Sequence, residues 1–366
     1  MNPDLFSPFS LGPLSLPNRI VMAPMTRTRA SVEGVPKPMV ARYYAQRASA
    51  GLIISECTEV SVQARGIHCA PGVHAEPQVA AWRDVVAAVH AKGGRIYLQL
   101  WHAGRTGHSS IRGGELPVAP SAIPASGKAR TPDGLKDYET PRALERAEIP
   151  AIVDDFRRAA SNALAAGFDG VELHGAYGYL VDEFLQDGSN QRDDRYGGSV
   201  ANRCRFALEV MEALAEVWGA SRVGIKISPS TRVSGMIDSE PLATFGHLAR
   251  ELDRMKIGYL HVMEPSEADL QTGTVKIRET TRTFRPMFGQ AVITNVGYTR
   301  ESGNAAVASG IADLVAYGKP FLANPDLPRR FEAGADLNKP DFATFYGSGE
   351  GGYTDYPFLE QGAGGA

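Results

Sequence analysis

Cysteine is scarce in this chain. Cys57, Cys69 and Cys204 are odd in number and too far apart for a disulfide framework or a thiolate metal cluster. That usage fits a reducing compartment, so the cytoplasm is the expected location. No apolar run approaches the roughly 18 residues that a membrane span needs. Met1–Ser10 also lacks a basic stretch followed by an apolar one, so neither a membrane helix nor a signal peptide is expected. Excess charge of one sign is missing as well: 38 Lys and Arg against 41 Asp and Glu leave a net charge of -3. This excludes the basic footprint of a nucleic-acid or anionic-membrane binder. His102 and His108 have no third ligand at useful spacing, and no His/Glu pair has metalloprotease spacing, so no metal site is expected. Walker and G-x-S-x-G motifs are absent. Gly347, Gly349 and Gly352 fit G-x-G-x-x-G by spacing alone; they neither follow an apolar strand nor open a helix, and the match is chance.

What the chain does have is an alternation. Eight short runs, rich in Val, Ile and Leu, are apolar at nearly every position: Ile20–Ala23, Leu52–Glu56, Arg95–Leu100, Gly170–His174, Val223–Ser228, Gly258–Val262, Ala291–Thr294 and Asp313–Ala316. Strands buried on both faces read this way. Helical spacing fills the intervals at Pro77–Lys92, Ile149–Ala166, Val200–Trp218, Pro241–Met255, Thr299–Ser309 and Asn324–Ala333, with Gly167 and Gly219 placed to end the second and third. Strands alternating with helices imply a parallel sheet with right-handed crossovers, and eight such units close into a (β/α)8 TIM barrel, an α/β fold. Phe9–Leu16, turning at Gly12-Pro13, predicts a hairpin on the barrel bottom, within an N-terminal cap over residues 1–18. Residues 102–148, rich in Gly, Pro, Ser and charge, predict a long loop insertion after the third strand that serves the active site. Nothing resembles a linker, so 1–366 is expected to be one domain with a mobile tail at 359–366.

In such a barrel the active site lies at the C-terminal ends of the strands. There the sequence places Ala23-Pro24-Met25-Thr26, Glu56-Cys57, Gln99, Trp101 and His102, then His174, Tyr177 and Tyr179, then Lys226, Asn295-Val296-Gly297 and Gly318-Lys319. A flavin needs such a rim: donors and acceptors for the pyrimidine edge, backbone N–H groups and a cation for the phosphate. Taken singly, each residue also fits ordinary packing. His174 reads equally as a satisfied structural histidine, Trp101 as core, and glycines follow strands in every barrel. With no dinucleotide fingerprint, a nicotinamide would enter the same open site as the substrate, in turn.

Five segments go further: Asn18–Thr26 (NRIVMAPMT), Gln99–Arg105 (QLWHAGR), Phe168–Ser199 (FDGVELHGAYGYLVDEFLQDGSNQRDDRYGGS), Leu314–Leu327 (LVAYGKPFLANPDL) and Tyr346–Pro357 (YGSGEGGYTDYP). On these the chain resembles the Old Yellow Enzyme family, FMN-dependent ene-reductases of the pentaerythritol tetranitrate and N-ethylmaleimide reductase type. The resemblance runs from about residue 5 to residue 358. It implies FMN as cofactor, NADPH or NADH as reductant, and enones or nitroalkenes as substrates; nitrate esters or nitroaromatics are the alternative acceptors. It assigns Ala23, Pro24, Met25 and Thr26 to the flavin platform, with Thr26 on the C4 carbonyl. Cys57 falls where the family, often with alanine, offers a backbone contact. Gln99 falls at the pyrimidine edge, Lys226 near flavin N1, and Asn295, Val296, Gly297, Gly318 and Lys319 at the phosphate. His174 and Tyr177 would polarise the substrate oxygen, Tyr179 would protonate carbon, and Trp101, Ile67 and Tyr353 would line the pocket. Relatives occur as monomers, dimers and larger forms; a monomer or homodimer is expected.

Departures from the family pattern are specific. Tyr177 stands where His or Asn is usual, Lys226 and Lys319 where Arg is usual, and Ile67 where close relatives often carry a tyrosine. Lysine keeps the charge but loses the planar fork of arginine. Two readings outside this chemistry remain at the sequence level: a flavin-free barrel lyase or hydrolase using His174 and Tyr179, and a flavin binder without catalysis.

Overall fold

The computed structural model describes residues 2–360. Eight strands close into one barrel: β1 Ile20–Met22, β2 Leu52–Glu59, β3 Ile96–Trp101, β4 Gly170–Gly175, β5 Val223–Ile227, β6 Tyr259–Met263, β7 Ala291–Asn295 and β8 Leu314–Tyr317. Every neighbouring pair runs parallel, and β8 closes the ring on β1 through Val315–Ile20 and Ala316–Val21. Around it lie α1 Pro38–Ala45, α2 Glu76–His90, α3 Ile149–Ala165, α4 Leu180–Leu185, α5 Val200–Trp218 and α6 Pro241–Arg254, followed by α7 Glu267–Gln271, α8 Thr280–Phe284, α9 Arg300–Ala308, α10 Lys319–Ala323 and α11 Leu327–Ala333. The helices form for local reasons. In α3, Ile149, Ile152, Phe156, Ala159 and Ala163 recur at three- and four-residue steps and are all buried. Gly167 then ends it at φ +90°, a conformation glycine adopts without penalty. Ser199 caps α5 by accepting the Asn202 N–H.

Side chains in a strand alternate between two faces, and that alternation sorts the barrel interior into layers. Its lower layer is apolar: Val21, Leu52, Ile54, Tyr97, Tyr259, Ile293 and Leu314 cluster with Leu11 and Leu16 of the N-terminal hairpin, which plugs the bottom. Gly170 and Gly224 make room for the tyrosine rings; a Cβ at either would sit within 2.3 Å of a Tyr97 or Tyr259 ring atom. One step further along the strands the interior turns polar, with Gln99, Glu172, Lys226 and His261 all buried.

Several boundaries differ from the sequence expectation. Strand β2 continues past Glu56 to Glu59 through a bulge: Ile54 pairs with Tyr97, but Cys57 pairs with Gln99. The extra residue reverses the alternation, so Cys57 rather than Glu56 shares the interior face. Residues 324–326 stay outside α11, because the Asn324 side chain is taken up by the carbonyls of Pro320 and Asn338. The insertion at 102–148 contains a hairpin, Lys128–Thr131 with Gly134–Asp137, and a short parallel pair, Val118–Ala119 with Arg142–Ala143. At the expected mobile tail, Leu359 is tied down, its N–H donating to Asp326 Oδ2 at 2.7 Å; residues 361–366 lie outside the described part. Among the described residues no helix is long and apolar enough to cross a membrane, and no cluster of His, Cys, Asp and Glu is arranged to hold a metal.

Candidate active site

The polar layer and the strand ends above it bring most of the singled-out residues together. At its floor, Glu172 is fully buried and bridges two strands. It accepts from Gln99 Nε2 at 2.8 Å and is 2.9 Å from His261 Nδ1. An amide that donates to a carboxylate has its orientation fixed, so Gln99 keeps its carbonyl and second N–H for another partner. Lys226 is 4% exposed. Burial drives its ammonium down to about 8, and the Glu172 charge offsets only part of this. Its Nζ stands 5.7 Å from the Tyr177 ring centroid.

The end of β4 carries His174 and the turn after it carries Tyr177 and Tyr179, and the backbone of that turn is braced from behind. Tyr177 sits in the left-handed region at φ +61° and Gly178 at +75°. The Tyr177 N–H donates to Ser228 Oγ at 2.9 Å, and the Gly178 N–H donates to Asp182 Oδ2 at 2.9 Å. Asp182 is in turn held by Gln186 Nε2 at 2.8 Å. His174 Nδ1 accepts the Ala176 N–H at 3.3 Å, which places the ring proton on Nε2. Burial, with Lys226 and His261 adding to it, holds the imidazole well below its usual pKa. His174 is therefore a neutral donor. The Tyr179 ring meets it edge to face and meets Trp101 the same way at 5.1 Å. Burial, reinforced by Cys57 and Tyr138, raises the Tyr179 phenol well above its ordinary pKa. Ile67 packs with Tyr179 against Cys57 and Trp101, and it lines a neighbouring cavity of about 160 Å³ with Glu59, Arg65 and His68.

Ala23-Pro24-Met25-Thr26 follows β1, with the Ala23 N–H on Tyr317 O at 3.1 Å. Thr26 Oγ1 lies 3.0 Å from Cys57 Sγ. At the end of β7, Asn295 Oδ1 is buried without a partner. Val296 and Gly297 both have positive φ, +83° and +77°. For a β-branched residue this is strained backbone, of the kind held at ligand sites. A Cβ on Gly297 would meet nothing within 4 Å, whereas one on Gly318 would approach Met25 Sδ at 3.7 Å. Two of the singled-out residues do not join the rest. Tyr353 is fully buried, stacked on Tyr43 at 4.0 Å beneath the Arg27 and Arg29 guanidiniums. It acts as packing for the C-terminal segment rather than as pocket lining. Lys319 is exposed, and its ammonium lies over the Phe342 ring, 5.2 Å from the centroid.

Glu172, His261, Ser228 and Asp182 were not singled out from sequence. A signal existed for the first two: a Glu and a His inside otherwise apolar runs are expensive to bury and need a reason. Ser228 and Asp182 carry no such mark.

The rim suits FMN. It offers an oriented amide (Gln99), a buried cation (Lys226), an unpartnered carbonyl oxygen (Asn295) and an open, strained backbone turn (Val296-Gly297). Residues 4–338 match the NADH:flavin oxidoreductase / NADH oxidase family. The 12-oxophytodienoate reductase 1 of Oryza sativa subsp. japonica is 47% identical over 362 residues, spanning 98% of this chain and 93% of the rice protein. Morphinone reductase superposes with a TM-score of 0.94 at 49% identity, covering 100% of this chain and 98% of that one. It has also been solved in complex with tetrahydroNAD. The old yellow enzyme homologue from Zymomonas mobilis superposes with a TM-score of 0.94 at 44% identity, covering 98% of this chain and 100% of that one. The chain therefore belongs to the NADH:flavin oxidoreductase / NADH oxidase family and is an Old Yellow Enzyme, an oxidoreductase with FMN as cofactor and a nicotinamide as reductant.

Proposed function

We propose that this enzyme reduces the activated C=C bond of α,β-unsaturated carbonyls and nitroalkenes. One observation carries the reading: His174, its Nδ1 already accepting the Ala176 N–H, meets the Tyr179 ring edge to face at 4.8 Å. When bound, FMN would supply the redox chemistry, relaying hydride between a nicotinamide and the substrate. Gln99, Thr26, Lys226 and the Val296-Gly297 turn are the residues that would hold it. His174 donates its Nε2–H to the substrate oxygen. Negative charge grows on that oxygen as the double bond is reduced, and a donor already in position stabilises it without reorganisation. Tyr177, from its left-handed corner, supplies the second donor, in place of the usual imidazole or amide. Tyr179 holds the proton that the α-carbon takes up. Its raised pKa keeps the phenol protonated at neutral pH, so it gives up its proton only to a strongly basic carbon. Relatives named as reductases of 12-oxophytodienoate and of morphinone support this substrate class.

The test is an anaerobic absorbance titration of the holoenzyme, first with NADH or NADPH and then with cyclohexenone. Bleaching of the flavin band followed by its return on adding the enone is expected. Bleaching with no return would overturn the enone assignment while leaving the flavin oxidoreductase intact.

A further inference from the structure

We propose that Cys57 is a positioning residue for the flavin. Its S–H donates to Thr26 Oγ1 and so reserves the single hydroxyl hydrogen of Thr26 for the flavin C4 carbonyl. The inference rests on the reading of Thr26 as a flavin ligand and adds a second residue behind it.

Three observations support it. The bulge in β2 turns Cys57, and not Glu56, to the interior face opposite Gln99. Sγ then lies 3.0 Å from Thr26 Oγ1, close for a sulfur contact. Finally, Cys57 is 3% exposed whereas Thr26 is only half-buried. A hydroxyl carries one hydrogen and two acceptor lone pairs, and a thiol sulfur is a weak acceptor. The better-matched bond therefore runs from sulfur to oxygen. It gives the buried S–H a partner and leaves the Thr26 hydrogen free on the open side. Burial also holds the thiol well above its usual pKa; the Thr26 contact offsets part of this, and Glu56 and Glu59 add to it, so the hydrogen stays on sulfur. Chained donors polarise one another, so Thr26 becomes a stronger donor than an isolated threonine. A carbonyl that gains negative charge on reduction profits from that donor more in the reduced state, and the potential of the flavin rises.

Two readouts test this, one independent of FMN. In flavin-free protein, the infrared S–H stretch of Cys57, identified by its loss in C57A, is expected at lower frequency than in T26A, where the acceptor is gone. In holoenzyme, C57A is expected to reduce the preference for reduced over oxidised flavin about two- to fivefold, a fall of roughly 10–20 mV for two electrons. C57S, which keeps a donor, should restore it. An S–H band unmoved by T26A would overturn the proposal. So would a C57A potential equal to wild type while T26A shifts it, with the reading of Thr26 left standing. If T26A does not shift the potential either, the reading of Thr26 falls, and the proposal with it.

Discussion

The Tyr179 phenol stands almost perpendicular to the His174 imidazole, with ring centroids 4.8 Å apart and planes at 88°. His174 is anchored through Nδ1, which accepts the N–H of Ala176 two residues on, so the donor direction of Nε2 is set before any substrate arrives. His174→Ala should remove that donor while leaving FMN bound. Losing one oxyanion donor typically slows chemistry about 10²–10³-fold. We expect a loss of this size in enone reduction by stopped flow, together with weaker enone binding and near-normal bleaching by nicotinamide. Unchanged enone turnover would contradict the assignment.

Tyr179→Phe separates proton delivery from hydride acceptance. The phenol is needed only once a carbon acquires negative charge, so reduction of the cofactor by nicotinamide should proceed at the wild-type rate. Enone reduction should fall on the order of 10²–10⁴-fold, the usual worth of a positioned acid. Equal slowing of both half-reactions would show that the ring shapes the pocket for nicotinamide and enone alike and is not the acid.

Lys226 makes a pH prediction whose sign follows from burial. Its folded pKa, about 8, lies below the ordinary lysine value of 10.5. The unfolded chain therefore binds more protons between these values, and stability rises with pH there. The destabilising effect of the buried ammonium is full below pH 8 and relieved as pH climbs toward 10.5. In flavin-free protein, Lys226→Met should unfold at higher denaturant than wild type at pH 7, and the gap should narrow by pH 10. A gap independent of pH would mean that Lys226 is charged throughout or that the difference is packing alone.

The barrel was legible because strands buried on both faces are apolar at nearly every position, and all eight runs are strands of one closed sheet. Period two even sorts much of the site: Glu172 and His174 on β4, and Tyr97, Gln99 and Trp101 on β3, fall on alternate positions. The bulge in β2 was not legible, since nothing local in Ser55-Glu56-Cys57 announces an extra residue, and without it Glu56 would be the interior side chain. Helix α1 escaped notice because it spans only Pro38–Ala45, with Val40, Tyr43 and Tyr44 as its buried residues. The roles of Tyr353 and Arg29 depend on contacts between the two ends of the chain, beyond the reach of any local pattern.

That long-range contact yields a last prediction. Arg29 is buried and donates to five backbone carbonyls, those of Arg27, Thr344, Phe345, Gly349 and Gly351, while Arg27 donates to Phe345 and Gly352. Between them the two guanidiniums fasten the irregular segment 344–352, which has no sheet or α-helix of its own to satisfy its carbonyls. Arg29→Ala strands those carbonyls, and a hydrogen bond to a charged donor is worth about 1.5–3 kcal/mol. Because water can reach the largely exposed segment once it loosens, the net loss of stability should be on the order of 3 kcal/mol rather than a sum over all five bonds. Arg29→Lys keeps the charge without the planar fork and should fall between. Limited proteolysis followed by mass spectrometry checks this directly. Cleavage within 345–352 should accelerate in the order wild type, lysine, alanine. Equal cleavage rates in all three would show that the Tyr353–Tyr43 stack holds the segment by itself.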